Sequence, residues 1–369
     1  MRKTTTLILA ALSLGACTNS PQQSANPVAE ALQSAVAQGK YLYGHQDDLM
    51  YGHDWNATLE ADTLLERSDV RDVCGEWPAV LGLDLGEIEL GGERNLDGND
   101  FALMREAAVK HHERGGIVTL SWHMRNPRTG GDAWDNSDSL TVSSILEGGE
   151  LCGKFHGWLN LGVEFIRSLK DSDGRQIPVV FRPWHEHSGG WFWWGTKTTT
   201  PEQYNALWRQ TYDYIVNEKG VEGLVWAISP NGMDPEKFPS WTERYPGDEY
   251  VDIIGLDQYM GGARSYEEAV DRYVGTVRGN LEFLQEMCAE RGKILAVTET
   301  GFEGIPDPVW WTDVLMKAVD GFPIAYLLTW RNASDPEKRD HHYYAPWSGQ
   351  ASAANFVDFA ENDKTIFLK

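Results

Sequence analysis

Positive charge is what this chain has least of: 32 lysines and arginines stand against 55 aspartates and glutamates, a formal net charge of −23 over 369 residues. No run of basic side chains relieves it, so nucleic acid and anionic membrane surfaces are poor partners by electrostatics. Cysteine is scarce too, with four in the chain. Cys17 belongs to the leader described below, and Cys74, Cys152 and Cys288 form an odd, widely spaced set from which no disulfide can be assigned. No repeat of about 20–50 residues marks a solenoid. No convincing glycine-rich phosphate loop follows an early strand. No His/Cys cluster has zinc spacing, so no metal site is expected. What remains is a chain with 41% hydrophobic residues, enough for one large α/β barrel or two domains.

Arg2 and Lys3 precede an apolar run over residues 7–14, which is too short to cross a bilayer and has the layout of a secretory signal. Because a cysteine directly follows Leu14-Gly15-Ala16, the segment resembles a bacterial lipoprotein leader, with Cys17 the lipidated first residue after cleavage. The expected organisation is therefore a signal over residues 1–16, a flexible Ser/Gln/Asn/Pro-rich tether over 17–28, and one folded domain over 29–369. An exported, lipid-anchored protein is the consequence. Thr18, Asn19 and Ser20 carry no acidic cluster, which favours the periplasmic side over the cell surface.

Short apolar runs recur at residues 41–44, 79–85, 117–122, 177–181, 223–228, 251–256, 294–297 and 324–329, with helical stretches between them. Thr200, Pro201 and Gln203 form a capping signal before one such helix, and others are expected over 100–114 and 266–291, the latter with a break. Eight strands alternating with helices predict a single (β/α)8 barrel. His45, Gly86 with Glu87, His123, Glu186, Asn231, Tyr259, Glu299 and Trp330 come after the eight runs. In a parallel barrel these positions converge on one face. The Gly/Asp/Asn/Ser-rich segment 125–151 is expected to overhang it. His111 and His112 are read as surface residues of a helix, and His45 with Asp47 and Asp48 as a hydrogen-bonded strand end.

Arg182-Pro183-Trp184-His185-Glu186-His187, followed by Trp191, Phe192, Trp193 and Trp194, puts an acid and two imidazoles beside aromatic rings. Aromatic faces and a carboxyl group together suit a sugar ring. Glu186 among Trp184, Trp191 and Trp194 is expected to be desolvated, which raises a carboxyl pKa. Glu299 ends the seventh run, and two carboxyl groups about 5–5.5 Å apart can cleave a glycosidic bond with retention. Adjacent strand residues face opposite sides, so His185 and Glu186 can share a cleft only if the backbone there is irregular.

The Trp-His-Glu run with its aromatics, Gly255-Leu256-Asp257-Gln258-Tyr259, Thr298-Glu299, Thr329-Trp330-Arg331 and Tyr43-Gly44-His45-Gln46 together resemble glycoside hydrolase family 26, most of whose members are β-mannanases. The resemblance implies a retaining double displacement, with Glu186 as acid/base and Glu299 as nucleophile. It implies that His185 and Tyr259 hydrogen-bond around the nucleophile and that His123 and Trp191 line the sugar site. Trp330 would be a stacking platform and Arg331 a contact to the next sugar. It implies no cofactor, and a β-mannan or manno-oligosaccharide substrate handled by a monomer. The alternatives are the same chemistry on mixed-linkage β-glucan or β-1,3-xylan, and a non-catalytic, lipid-anchored glycan-binding protein. Endo or exo action is left open.

Overall fold

The computed structural model describes residues 26–60, 65–333 and 335–369. Cys17 and the leader lie outside the described residues. The tether expected through residue 28 ends sooner, because the Asn26 side chain caps a helix over Pro27–Ala37.

Eight strands form the barrel: β1 (Tyr41–Gln46), β2 (Val80–Asp84), β3 (Ile117–Trp122), β4 (Val179–Pro183), β5 (Leu224–Ile228), β6 (Ile253–Met260), β7 (Ile294–Phe302) and β8 (Ile324–Thr329). Each pairs in parallel with the next, and β8 closes on β1 through Leu42↔Tyr326 to His45↔Thr329. Parallel neighbours need crossovers, and the intervening helices provide them. The capping box read from the sequence at Thr200 and Gln203 is present on the helix over Pro201–Tyr212, and the Asp100 side chain caps the expected helix over Phe101–Glu113.

Alternation along the strands sets what fills the barrel. Leu42, Val80, Ile117, Val180, Val225, Ala227, Ile253, Ile294, Ala296 and Leu328 share one apolar cluster with Val28, Leu32 and Ala35. The amino-terminal helix therefore plugs the lower mouth. Counting upward by twos from these residues reaches Asp84, Ser121, His123, Arg182, Ser229, Asp257, Tyr259 and Trp330, so one parity lines the base with hydrocarbon and the upper rim with polar groups. The opposite parity, such as Tyr43, Phe181, Trp226 and Leu256, packs on the helices.

Three details depart from the sequence reading. His111 is fully buried, not a surface residue, because it extends the Met104, Ala107 and Ala108 stripe that faces the barrel. Its Nε2 lies 3.4 Å from the Ala79 carbonyl, and burial pushes its pKa down to about 4. Tyr266–Arg291 is one continuous helix without a break, its buried stripe of Tyr273, Val277, Leu281 and Leu284 outweighing the weak propensity of Gly275 and Gly279. Finally, a carboxy-terminal strand, Thr365–Leu368, joins β1 through Tyr41↔Thr365.

Candidate active site

The chain leaves β4 at Pro183 and enters a loop in which Trp184 (φ 53°) and Glu186 (φ 51°) adopt left-handed backbone, which is costly for residues with a Cβ. Its surroundings hold it there: Glu186 N–H donates to the Ser229 carbonyl at 2.7 Å, Trp194 Nε1–H to the His185 carbonyl at 2.7 Å, and Tyr204 Oη–H to the Trp184 carbonyl at 3.0 Å. This is the irregular backbone that lets His185 and Glu186 both serve the cleft.

Glu299 reaches the same space by a different device. Opposite β6, Val297 pairs with Leu256 but Glu299 with Asp257, so Thr298 is an extra residue, a bulge. Thr298 Oγ1–H donates to Asp257 Oδ1 at 2.5 Å. A methyl group on Gly255 would overlap that threonine side chain, so the bulge needs glycine beside it. The result turns both Thr298 and Glu299 inward.

Oxygen atoms of Glu186, Asp257 and Glu299 lie within 4.8 Å of one another. Three carboxylates so close need compensation, and Arg182 supplies it. Its guanidinium donates to Asp257 Oδ2 at 2.9 Å and to Glu299 Oε1. Burial opposes the Arg182 cation, but Asp257 and Glu299 outweigh it and raise the pKa, so the charge is permanent. Ser229 also donates to Asp257 Oδ2 at 2.8 Å, and Tyr259 Oη–H to Glu299 Oε2 at 2.7 Å. Burial, then Glu299, push the Asp257 carboxyl up to about 7 against the pull of Arg182. The spacing would suit a metal ion, yet Arg182 already stands between Asp257 and Glu299, and three further side chains, Thr298, Ser229 and Tyr259, donate to that pair. The donor set fits a carboxylate–guanidinium cluster.

Glu186 is the odd member. Among the described residues its one side-chain donor is Trp191 Nε1–H, 2.7 Å from Oε2. Glu186 is half-buried. Burial first, and then the charges of Glu299 and Asp257, drive its pKa well above the carboxylate range. Burial and its acidic neighbours thus favour a proton on Glu186, while Glu299 accepts from Arg182 and Tyr259.

The walls are histidine and indole. His123 Nδ1 lies 2.7 Å from Asp84 Oδ2, and its Nε2 lies 3.1 Å from His185 Nε2. The expectation that His185 bonds the nucleophile does not hold; it bonds His123 instead, and Arg182 takes the place on Glu299. Trp191 is 39% exposed whereas Phe192, Trp193 and Trp194 are buried, so only the first of the aromatic run offers a free face. Trp330 is half-buried with its ring 6.0 Å from that of His123, and Arg331 pairs with Asp97 at 2.8 Å. Trp134, in the long loop after β3, joins the site without any signal in the sequence. It is 47% exposed and lies 5.2 Å above His123 with the rings 18° from parallel. Asn136 Nδ2–H donates to the Gly190 and Trp191 carbonyls at 2.9 and 3.0 Å, so the overhanging loop is stitched to the Trp191 loop. His45 bonds Asp48 at 2.8 Å, as a strand end would, and His342 bonds Glu303 at 2.6 Å.

Residues 18–303 match the model of the family described as glycosyl hydrolase family 26. A solved β-mannanase of that family from Bacteroides ovatus is 44% identical, covering 92% of this chain and 94% of that one with a TM-score of 0.84. The catalytic domain of an endo-β-1,4-mannanase from Bacillus sp. JAMB-750 is 33% identical, covering 92% and 91%, with a TM-score of 0.80. Among curated proteins, a mannan endo-1,4-β-mannosidase of Bifidobacterium adolescentis is 30% identical over 86% of this chain and 33% of its own length. One from Bacillus subtilis is 29% identical over 58% of each. The chain spans about a third to three fifths of the length of these curated relatives.

Proposed function

This chain belongs to glycosyl hydrolase family 26, and from that premise we propose that it hydrolyses β-1,4-mannosidic linkages in mannan, glucomannan or galactomannan with retention of configuration. The observation that carries the reading is the pair Glu186 and Glu299, oxygens within 4.8 Å in opposite electrostatic settings. Retaining enzymes hold their carboxyl groups about 5–5.5 Å apart, whereas inverting ones leave about 6.5–9.5 Å for a water. That the relatives above are mannanases supports the mannan substrate.

In the first step Glu186 gives its proton to the glycosidic oxygen while Glu299 attacks the anomeric carbon, forming a glycosyl ester as the leaving chain departs. Trp191 occupies Oε2 of Glu186, which leaves Oε1 to carry the proton. In the second step Glu186, now an anion, takes a proton from water as that water opens the ester. Tyr259 and Arg182 aim Glu299 throughout. Trp330 and Trp134 offer faces for sugar rings, and the Arg331–Asp97 pair offers polar contacts further along the cleft.

Export through the leader and lipidation at Cys17 belong to the same proposal, resting on the sequence at residues 1–17. The protein would then meet polymer fragments at the envelope as an anchored monomer. The test is Glu299→Ala assayed on mannan, mixed-linkage β-glucan and β-1,3-xylan beside the wild type. The wild type is expected to release reducing ends from mannan foremost, and the variant to lose at least about 10³-fold in kcat while keeping its melting temperature within a few degrees. Wild-type protein that binds mannan without cutting it would sink the proposal.

A further inference from the structure

Asp84 ends β2 with its side chain fully buried and no part in bond cleavage, yet it is among the most heavily hydrogen-bonded carboxylates in the fold. Oδ1 accepts from the backbone N–H of Gly86 at 2.7 Å and of His123 at 3.1 Å. Oδ2 accepts from Ser121 Oγ at 2.5 Å and from His123 Nδ1 at 2.7 Å. A carboxylate has no proton to share here, so His123 must carry hydrogen on Nδ1.

The other end of the ring meets a second imidazole. Its Nε2 faces His185 Nε2 at 3.1 Å, and only one of the two can donate. If His123 is cationic, it donates to a neutral His185; if it is neutral, the direction reverses. Trp134 stacks over His123 at 5.2 Å, and an indole face favours a cation beneath it. The remaining charged neighbours are Glu299 from β7 and Asp97 from the loop after β2, both acidic, while His185 is faced by Arg182 and His187 as well. Burial works against a cation at either ring. Around His123 the acids overcome it and its pKa rises; around His185 the basic neighbours add to it and the pKa falls well below the usual value. Burial would raise the Asp84 carboxyl, but His123 and the surrounding donors hold it down at about 2.

We propose that Asp84 is a positioning residue for the sugar site: it fixes His123 as a donor-only imidazolium, directed at His185 and set beside Glu299. In that state both ring nitrogens of His123 donate, Nδ1 to Asp84 and Nε2 to His185, and a positive charge stands beside the nucleophile. The role of His123 at sugar rests on the hydrolase reading above; its charge and direction do not.

The test is Asp84→Asn, followed by histidine-selective NMR titration, with the His123 signal assigned against His123→Gln. The titration midpoint of His123 is expected to fall by more than about one pH unit, since either orientation of the amide removes the charge. On mannan, kcat/KM at pH 7 is expected to drop about tenfold, carried mainly by KM. Because the amide would also face two backbone N–H groups, Ser121→Ala is the companion variant. It removes a competing donor from Oδ2 and is expected to move the His123 midpoint upward by a few tenths of a unit. An unchanged His123 midpoint in Asp84→Asn overturns the proposal, as does a downward shift in Ser121→Ala should the first variant not fold. A wild type that cleaves no β-glycan would defeat the hydrolase reading and leave the imidazole titration to decide this one.

Discussion

Trp191 touches Glu186 through a single hydrogen bond, and the sign of its effect can be worked out. An indole N–H donated to a carboxyl oxygen favours the ionised form, so it pulls the Glu186 pKa down against burial and the charges of Glu299 and Asp257. Turnover needs the protonated form and is lost as pH rises through that pKa. Trp191→Phe is therefore expected to move the alkaline limb of the kcat profile upward by roughly half to one unit, the indole being partly exposed. A limb that stays put or moves to lower pH would remove Trp191 from this role. Both glutamates are legible in the sequence because each terminates an apolar run, and Tyr259 for the same reason. Arg182 is harder to see, although counting by twos from Val180 points it inward; its partners come from β6 and β7 and exist only once the barrel closes. His185 misleads because sequence adjacency to Glu186 says nothing about which ring or carboxylate it meets across the cleft. Trp134 lies in a loop without periodicity, where no pattern distinguishes a cleft wall from a solvated side chain.

The bulge in β7 shows how a local backbone defect sets catalytic geometry. Thr298 fills the extra position, and Gly255 on β6 leaves room for it. Gly255→Ala places a methyl group against Thr298 with no open space to move into. Overpacking of this kind costs about 1–3 kcal/mol. Urea unfolding is expected to show that loss, and kcat is expected to fall at least about tenfold because Glu299 moves with the bulge. A variant that melts lower but turns over normally would separate the bulge from catalysis. All eight strands are visible as apolar runs, with ends shifted by a few residues, because strands buried on both faces need continuous hydrocarbon. The bulge itself is invisible, since register depends on two strands and a sequence shows one at a time. The strand at Thr365–Leu368 escapes notice because four residues after a turn carry too little pattern, and the burial of His111 because a helix alone does not show which stripe faces the barrel.

Barrel closure brings residues as distant in sequence as Asp84 and Trp330 onto one rim, with Tyr43 and Thr329 bonded across the seam at 2.7 Å. The amino-terminal helix closes the opposite mouth, so chemistry is confined to the face where strands end. The net charge of −23 gives no attraction to polyanions, and a neutral polysaccharide needs none. At the centre of the molecule, two carboxyl groups stand close enough to work on one bond by way of a glycosyl ester. Proton NMR of the first sugar released from mannopentaose, recorded before mutarotation, reads that directly. The newly formed reducing end is expected to appear as the β-anomer and drift toward equilibrium over minutes; an α-anomer appearing first would mean that water, not Glu299, attacks the sugar, and would contradict the pairing of Glu186 with Glu299.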